Sequence, residues 1–264
     1  MLELRDISKV YSPGTVNENC LFRHFNLSIP DGQFVSVVGS NGSGKTTMLN
    51  IVCGSIPIDE GRILMGGSDI TAMREHKRYR NIGRVYQNPA MGTCGTMTIL
   101  ENMAMADNKN KPYNITRGVN RKRVEYYREL LHSLGLGLED KLNVPVSSLS
   151  GGQRQAMALL MATLTPIEFL ILDEHTAALD PKTAARVMEL TEKIVHETQL
   201  TTLMITHNMR DAIHYGNRLI MLHDGRVILD ISGEEKKKLT VPELLEMFSK
   251  ASGDEFSDDR AILS

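Results

Sequence analysis

The chain carries the octet Gly39-Ser40-Asn41-Gly42-Ser43-Gly44-Lys45-Thr46 between two apolar runs. In a loop of this pattern the backbone N–H groups wrap phosphates, the lysine reaches the terminal phosphates and the hydroxyl holds Mg²⁺. Residues 34–38 ahead of it favour a strand, and residues 46–52 behind it continue with helical spacing. Strand, loop and helix in this order are the context that the phosphate loop requires, so the sequence predicts a nucleotide-binding site.

A second pair of glycines occurs in Leu149-Ser150-Gly151-Gly152-Gln153. Ser150 can cap a helix that begins at the glycines, and a helix N-terminus is an anion site. The spacing from Ser150 to Gln153 also satisfies an ordinary capping box, so the pentapeptide alone is equally well explained as a plain capped helix.

Polar residues follow two apolar runs further along the chain. Asp173 and Glu174 come directly after residues 167–172, and His207 follows residues 201–206 closely. These runs have the composition of strands buried on both faces of a parallel sheet. Because ligands bind beyond the carboxyl ends of parallel strands, we expect the glycine loop, both carboxylates and the histidine to converge on one crevice.

Two turn signals predict antiparallel strands beside this sheet. Asp59-Glu60-Gly61 separates two short runs near the front, and His223-Asp224-Gly225 joins residues 218–222 to residues 226–229. The predicted fold class is therefore α/β, with a mixed sheet and an antiparallel β addition.

Residues 88–148 have a different, helical pattern. A capping box at Thr98–Glu101 opens one helix, and a second helix has an apolar stripe. The stripe consists of Val124, Tyr127, Leu131 and Leu134. Met97, Met103 and Met105 either fill the core of this segment, which we favour, or form a groove for a partner's helix.

We predict one domain over residues 1–264, with a core of residues 1–87 and 149–231, a helical subdomain of residues 88–148 and an extension of residues 232–264. A capping box at Thr240–Glu243 heads a short helix in the extension. The run from Asp254 to Asp259 is acidic, and we expect it to be mobile.

Composition excludes several functional classes. Lys and Arg number 30 against 32 Asp and Glu, so the net charge of -2 provides no general attraction to nucleic acid. No run approaches the roughly 18 apolar residues of a membrane span, and the N-terminus lacks the pattern of a signal peptide. We therefore expect a cytoplasmic protein with no nucleic-acid partner.

The pentapeptide at residues 149–153, followed by Asp173-Glu174 after an apolar strand, resembles the nucleotide-binding subunit of an ABC transporter. The resemblance covers residues 1–231 and implies a P-loop ABC ATPase core with bound ATP and Mg²⁺. It implies that the ATP-binding residues are Tyr11, Gly39, Ser40, Asn41, Gly42, Ser43, Gly44, Lys45, Thr46, Thr47, Ser150, Gly151, Gly152, Gln153 and Asp180. It further implies magnesium contacts at Thr46, Gln87 and Asp173, and catalytic roles for Glu174, His207 and Gln87.

The chemistry of phosphoryl transfer supports these roles independently. Transfer to water requires charge neutralisation at the γ-phosphate and a group that orients the attacking water. Lys45, a metal ion, a carboxylate and His207 supply these functions, and Glu174 is our choice of base. Tyr11 either stacks on adenine, as the resemblance implies, or covers an edge of the sheet.

The sequence departs from the family pattern at two places. His175 follows Glu174 where the family usually has proline, which leaves the catalytic groups present but restores a backbone N–H. The stretch from Ser12 to Leu21 is longer than the family pattern suggests, and Pro13-Gly14 with Asn17 predicts an exposed excursion.

We interpret the chain as an ATPase on the inner face of the membrane that drives transport through a separate transmembrane permease subunit. One phosphate loop and one signature motif per chain require a second ATPase chain, identical or similar. The resemblance extends to a bacterial importer group with a solute-binding protein, in which the cargo is proposed to be an aromatic amino acid. The main alternative is a soluble ABC ATPase for iron-sulfur cluster assembly. A P-loop kinase or GTPase is a remote third.

Overall fold

The computed structural model describes residues 1–112 and 118–252. The strands are β1 (Leu2–Tyr11), β2 (Asn19–Ile29), β3 (Phe34–Gly39), β4 (Glu60–Met65), β5 (Ser68–Asp69), β6 (Ile82–Val85), β7 (Phe169–Asp173), β8 (Thr201–Ile205), β9 (Arg218–His223) and β10 (Arg226–Ser232). The helices are α1 (Lys45–Cys53), α2 (Glu75–Arg78), α3 (Ile99–Asp107), α4 (Val124–His132), α5 (Gly151–Thr163), α6 (Pro181–Thr198), α7 (Met209–His214), α8 (Gly233–Lys238) and α9 (Val241–Ser252). Short 3₁₀ turns lie at Pro89–Met91, Arg121–Arg123 and Val146–Ser148.

The larger sheet has six strands in the order β10-β9-β3-β8-β7-β6. Strands β9, β3, β8, β7 and β6 are parallel, and β10 is antiparallel. Strand β3 lies between two neighbours, and its residues 34–38 are all buried, which explains their uninterrupted apolar pattern. The octet therefore begins at the carboxyl edge of a central strand, the same edge at which β7 and β8 end.

The smaller sheet is antiparallel, in the order β2-β1-β4-β5, and it corrects one sequence-based prediction. The hairpin predicted at Asp59-Glu60-Gly61 is wrong, because Glu60 and Gly61 already belong to β4. Gly61 has a φ of +103°, and a Cβ there would lie 2.5 Å from the Asp6 carbonyl oxygen. The glycine thus marks a bulge against β1. The turn that follows β4 is instead formed by Gly66 and Gly67.

The second predicted hairpin, between β9 and β10, is confirmed. Asp224 and Gly225 have φ values of +45° and +69°, as a tight two-residue turn between twisted strands requires. The Gly225 N–H donates to the Ser43 carbonyl oxygen at 3.1 Å. The hairpin turn is therefore hydrogen-bonded to the phosphate loop.

The helical pattern of residues 88–148 is confirmed in the described part of that segment. Thr98 accepts from the Glu101 N–H at 3.2 Å in a complete capping box at the start of α3. Tyr127, Leu131 and Leu134 are buried in a core that also includes side chains of α5, β6 and β7. The helices are consequently packed on the β6–β7 side of the sheet.

Helices α8 and α9 follow β10 and pack on the β9–β10 side. Leu244 and Phe248 of α9 are buried with Met221 and Ile231. The capping box predicted at Thr240–Glu243 is present. The acidic run from Asp254 to Asp259 lies outside the described residues. Among the helices that the structure describes, none is both long and apolar enough to cross a membrane.

Candidate functional site

The octet forms a tight loop between β3 and α1, and its glycines are required by its geometry. Gly44 has a φ of +103°, and a Cβ there would lie 2.8 Å from the Phe22 ring. A Cβ at Gly39 would overlap the Leu222 carbonyl oxygen. Any other residue at these two positions would strain the backbone or clash.

Lys45 is buried inside this loop. Its ammonium donates to the carbonyl oxygens of Gly39 and Ser40 at 2.7 and 2.8 Å. Burial lowers the pKa of Lys45, and the negative charge of Glu174 opposes that shift. Thr46 is exposed and Thr47 half-buried at the start of α1. The loop therefore holds one cation at its centre and places a hydroxyl at its surface.

Glu174 and His207 lie together at the carboxyl edge of the sheet. Glu174 Oε1 is 2.6 Å from His207 Nε2. Both line a cavity of about 720 Å³, together with residues 39–41 of the phosphate loop. The structure thus brings the loop, one carboxylate and the imidazole to one crevice.

Asp173 is directed to a different partner, Arg84 on β6. Arg84 Nη2 donates to Asp173 Oδ2 at 2.7 Å, and Arg84 Nη1 donates to Asn50 Oδ1 on α1 at 3.0 Å. Burial opposes the charge of Arg84, yet the hydrogen bond to Asp173 raises the pKa of Arg84 above its ordinary value. Sequence reasoning missed Arg84, although a charged residue inside an apolar strand is a signal that it has a partner.

Gln87 lies two residues beyond β6 and is exposed. It does not line the cavity at Glu174. The neighbouring Tyr86 carbonyl oxygen accepts from Gln155 Nε2 of α5 at 3.0 Å. The segment that carries Gln87 is thereby attached to α5.

Tyr11 ends β1 beside the start of α1. Its hydroxyl lies 3.5 Å from Thr47 Oγ1, and the Lys9 ammonium lies 5.6 Å from its ring centroid. Tyr11 is half-buried, so part of its surface is accessible to a ligand. Residues 12–18 form an exposed loop between β1 and β2, which confirms that part of the predicted excursion. Its remaining residues, 19–21, already belong to β2, where Asn19 pairs with Tyr11.

The second glycine pair begins α5, and the predicted capping box is present. Ser150 Oγ accepts from the Gln153 N–H at 3.3 Å, and Gln153 Oε1 accepts from the Ser150 N–H at 3.2 Å. A Cβ at Gly152 would overlap the Thr183 side chain of α6. Residues 150–153 do not line the cavity at Glu174. They lie at a helix start that is closely packed on another helix of the same chain.

The segment from Glu174 to Asp180 connects the cavity to α6. Asp180 caps α6 by accepting from the Thr183 N–H at 3.1 Å, and the hydrogen bonds from Thr183 lower the pKa of Asp180. His175 is buried, with its Nε2 3.1 Å from Thr191 Oγ1 in the middle of α6. Burial lowers the pKa of His175 to about 4, so its imidazole is neutral at neutral pH.

The C-terminal helix also reaches the phosphate loop. The His223 ring lies 5.5 Å from the Phe248 ring in an edge-on contact. His223 Nδ1 is 3.4 Å from Ser40 Oγ in the loop. Phe248 of α9 is therefore connected to the phosphate loop through His223, which contacts both Phe248 and Ser40.

The residues predicted to contact magnesium offer a hydroxyl, an amide oxygen and a carboxylate, at Thr46, Gln87 and Asp173. Mg²⁺ prefers oxygen ligands and usually completes its shell with water and substrate phosphates. In the described part of the chain, no group of three or more His, Cys, Asp or Glu residues is arranged to hold a metal ion. By their chemistry, these oxygen donors fit a magnesium ion that shares its shell with nucleotide phosphates and water.

Comparisons with known proteins agree with this geometry. The model of the family described as "ABC transporter" matches residues 22–177. The chain is 46% identical over 251 residues to the tyrosine transport ATP-binding protein of Clostridioides difficile, covering 95% of this chain and all of that one. It is 30% identical to the phosphonates import ATP-binding protein PhnC of Lactococcus lactis subsp. cremoris, covering 92% and 98%. It is 32% identical to the spermidine/putrescine import protein PotA of Haemophilus influenzae, where it spans 59% of that protein's length.

Solved structures show the same fold. The structure of the ATP-binding cassette MJ0796, a dimer in a post-hydrolysis state bound to ADP and Pi, has a TM-score of 0.74 at 30% identity, covering 88% of this chain and 98% of that one. The cbiO1 subunit of the cbiONQ transporter from Clostridium perfringens has a TM-score of 0.75 at 26% identity, covering 94% of both chains. This chain belongs to the ABC transporter family, as an ATP-binding subunit that hydrolyses ATP.

Proposed function

We propose that this subunit powers the import of an aromatic amino acid, of the type of tyrosine, through a separate membrane protein. The tyrosine transport relative supports this solute, because the similarity covers 95% of this chain and the whole of the relative. The phosphonate and polyamine relatives named above are also import proteins. These names provide no support for the alternative of a soluble iron-sulfur assembly ATPase.

The observation that carries the chemistry is the 2.6 Å contact between Glu174 and His207 beside the phosphate loop. In this proposal Glu174 orients and polarises the attacking water, and His207 contacts the γ-phosphate. Lys45 supplies a fixed positive charge for the terminal phosphates, and Thr47 contacts the inner ones. Tyr11 stacks on the adenine.

Thr46, Gln87 and Asp173 would hold Mg²⁺ with the nucleotide. When bound, this ion neutralises charge on the β- and γ-phosphates. The Arg84 guanidinium fixes one carboxylate oxygen of Asp173 in place. Gln87 is exposed and does not line the cavity at Glu174, so it would contact the metal from outside that cavity.

We further propose that two chains, preferably two copies of this one, build each ATP site together. Residues 150–153 lie against α6 and away from the cavity of their own chain, which leaves them to face a partner's nucleotide. Asp180 then lies on the segment that contacts the other chain. The dimeric form of the MJ0796 cassette supports this arrangement.

The experiment that tests this function uses Glu174→Gln, which keeps the size of the side chain and removes its charge. We expect phosphate release to fall at least about a hundredfold, a typical effect of losing a catalytic acid or base. Light scattering should show a dimer on addition of ATP, because every binding group remains. Adding Ser150→Arg should abolish that dimer. Parental hydrolysis by Glu174→Gln would reject this residue as the base, and a monomer that binds ATP at high protein concentration would reject the shared site.

The membrane partner is proposed to contact the surface around Gln87, Asn88 and the segment from Met97 to Met105, on the inner face of the membrane. The methionines of the predicted cluster differ in their exposure to solvent. Met103 is fully buried and belongs to the core, whereas Met105 is 49% exposed. A charge at Met103 would therefore disrupt the core, and Met105→Glu is the proper probe of this surface.

Met105→Glu should reduce solute uptake by the complete transporter while basal ATP hydrolysis is retained. The matched control is Met73→Glu, at an exposed methionine outside this segment. Unchanged uptake and assembly in Met105→Glu would reject this surface. The solute itself is tested by measuring whether tyrosine, with its solute-binding protein, stimulates ATP hydrolysis by the reconstituted complex. Stimulation by an unrelated solute and not by tyrosine would reject the proposed cargo.

A further inference from the structure

Glu174 occupies a backbone conformation that needs support. Its φ of +47° lies in the left-handed region, which is unfavourable for a residue other than glycine. Its N–H donates to the Ile205 carbonyl oxygen at 3.0 Å, and its carbonyl oxygen accepts from the Ala177 N–H at 3.0 Å. Such conformations persist only where the surroundings determine them at several points.

The side chain that follows Glu174 supplies a further fixed point. His175 is 2% exposed, and its Nε2 lies 3.1 Å from Thr191 Oγ1. The Thr191 hydroxyl donates its single hydrogen to the Val187 carbonyl oxygen at 2.8 Å. The hydroxyl oxygen must therefore accept, and the His175 ring must carry its hydrogen on Nε2.

Helix α6 is a rigid support for this hydrogen bond. It is 18 residues long, is capped by Asp180, and buries Val187, Leu190 and Val195 against the core. Thr191 is completely buried in the middle of the helix. A ring hydrogen-bonded there cannot shift without moving α6 or leaving a buried donor unpaired.

Glu174 is sensitive to small displacements, because it acts on a water that must approach the phosphate in line. A displacement of about 1 Å in a positioned catalytic group can reduce the rate a hundredfold. The Glu174 carboxylate is held at its outer end by His207 and at its backbone by the contacts above. The residue next to it therefore influences where the carboxylate lies.

We propose that His175 is a positioning residue, which fixes the catalytic carboxylate of Glu174 by joining its backbone to Thr191 of α6. The inference rests on the proposed function of Glu174. It explains how His175 could serve at the position where the family usually has proline. Proline fixes its own φ covalently, whereas this chain fixes the same point with a buried hydrogen bond.

The test replaces the acceptor and leaves His175 itself in place. Thr191→Val preserves the shape of the side chain and removes the hydroxyl. Thr191→Ser retains the hydroxyl and serves as the conservative variant. Thr198→Val is the matched control, because Thr198 lies on the same helix and donates to the Ile194 carbonyl oxygen at 2.7 Å, but its hydroxyl has no histidine partner among the described residues.

Thr191→Val should lower kcat for ATP hydrolysis about tenfold, because a His175 ring released from α6 allows the Glu174 carboxylate to shift from the attacking water. KM for ATP should change less than about twofold, since the groups that bind the nucleotide are untouched. Thr191→Ser and Thr198→Val should both retain parental kcat. All four proteins are compared well below their melting temperatures, so that a loss of stability alone does not lower kcat.

Three outcomes would overturn the proposal. They are parental kcat in Thr191→Val whatever its KM, an equal loss of kcat in Thr191→Val and Thr198→Val, and an equal loss of kcat in Thr191→Val and Thr191→Ser. Glu174→Gln is measured in the same series. If Glu174→Gln is inactive while Thr191→Val is normal, the base is correct and the positioning role is wrong. If Glu174→Gln is fully active, Glu174 is not the base, and the proposed function of Glu174 is wrong regardless of the result for Thr191→Val.

Discussion

The chain begins two helices with glycines, and the two starts are built differently. At α1, the glycines of residues 39–44 have positive φ values, and the loop encloses the buried Lys45 ammonium. At α5, Gly151 and Gly152 have no positive φ, and Ser150 caps the helix. The cation at this start, Arg154, donates to the Ser147 and Leu149 carbonyl oxygens ahead of the helix. Both starts were predicted from the sequence as phosphate-binding elements.

The difference shows that glycine serves two purposes in this protein. In the loop it allows the backbone to turn around an anion. At Gly152 it allows α5 and α6 to approach so closely that a methyl group would not fit. The first element encloses its own cation, whereas the second presents one helix N-terminus that packs against α6. We predict that only the first binds phosphate without a partner chain.

Among the variants that test this comparison, Lys45→Ala should have the largest effect, which is a loss of ATP hydrolysis. Removing the only cation enclosed by the loop should lower ATP hydrolysis by at least about a hundredfold. Phosphate release and binding of a fluorescent ATP analogue measure the effect. Lys193→Ala, at an exposed position on α6, should leave both unchanged. Normal hydrolysis by Lys45→Ala would show that the cation enclosed by the loop before α1 is not needed for hydrolysis, and the comparison of the two helix starts would fail.

Gly152→Ala should produce the next largest effect, on stability. The added methyl overlaps the Thr183 side chain, and overpacking of this kind costs about 1–3 kcal/mol of unfolding free energy. Thr183→Ser removes the methyl that is overlapped and should restore most of the loss in the double variant. Urea unfolding of the four proteins gives the coupling energy. Additive losses would show that Gly152 is not a packing glycine.

Gly42→Ala should cost less, about 1 kcal/mol. Gly42 has a φ of +80°, but no atom lies within 4 Å of an added Cβ. The cost is therefore backbone strain without a clash, partly offset because alanine restricts the unfolded chain. Urea unfolding measures it. A loss as large as that of Gly152→Ala would indicate a clash that the geometry does not contain.

Gly151→Ala should have the smallest effect, within about 0.5 kcal/mol. Its added Cβ would lie 3.3 Å from the end of the Leu179 side chain, which can move, and alanine favours a helix over glycine. A thermal melt beside Gly152→Ala provides the comparison. A large loss here would mean that both glycines are packing residues.

Much of the fold was predictable because local patterns determine it. The uninterrupted apolar runs at β3, β7 and β8, the capping boxes at Thr98 and Ser150, and the β9–β10 turn all appear as predicted. The role of this chain as an ATP-binding subunit of an ABC transporter is confirmed by its relatives. Each of these features follows from residues that are adjacent or nearly so in sequence.

The failures share one cause, which is a partner distant in sequence. Gly61 marks a bulge only because Asp6 of β1 lies opposite it, so the turn signal was misread. Arg84 is explained by Asp173 and Asn50, both distant in sequence, and Met103 differs from Met105 by the face of α3 that packs inward. The catalytic and metal-binding roles of Gln87, Asp173, Glu174 and His207 stay predictions until they are measured.

The contact from Phe248 through His223 to Ser40 has a practical consequence for the design of shortened or fused versions of this subunit. The last strand, β10, ends at Ser232, and a designer would be inclined to truncate the chain there. Such a truncation would remove the ring that packs on His223 and uncover Met221 and Ile231. A version made for expression, crystallisation or grafting should therefore retain α9 through Ser252, with any added domain attached after that helix.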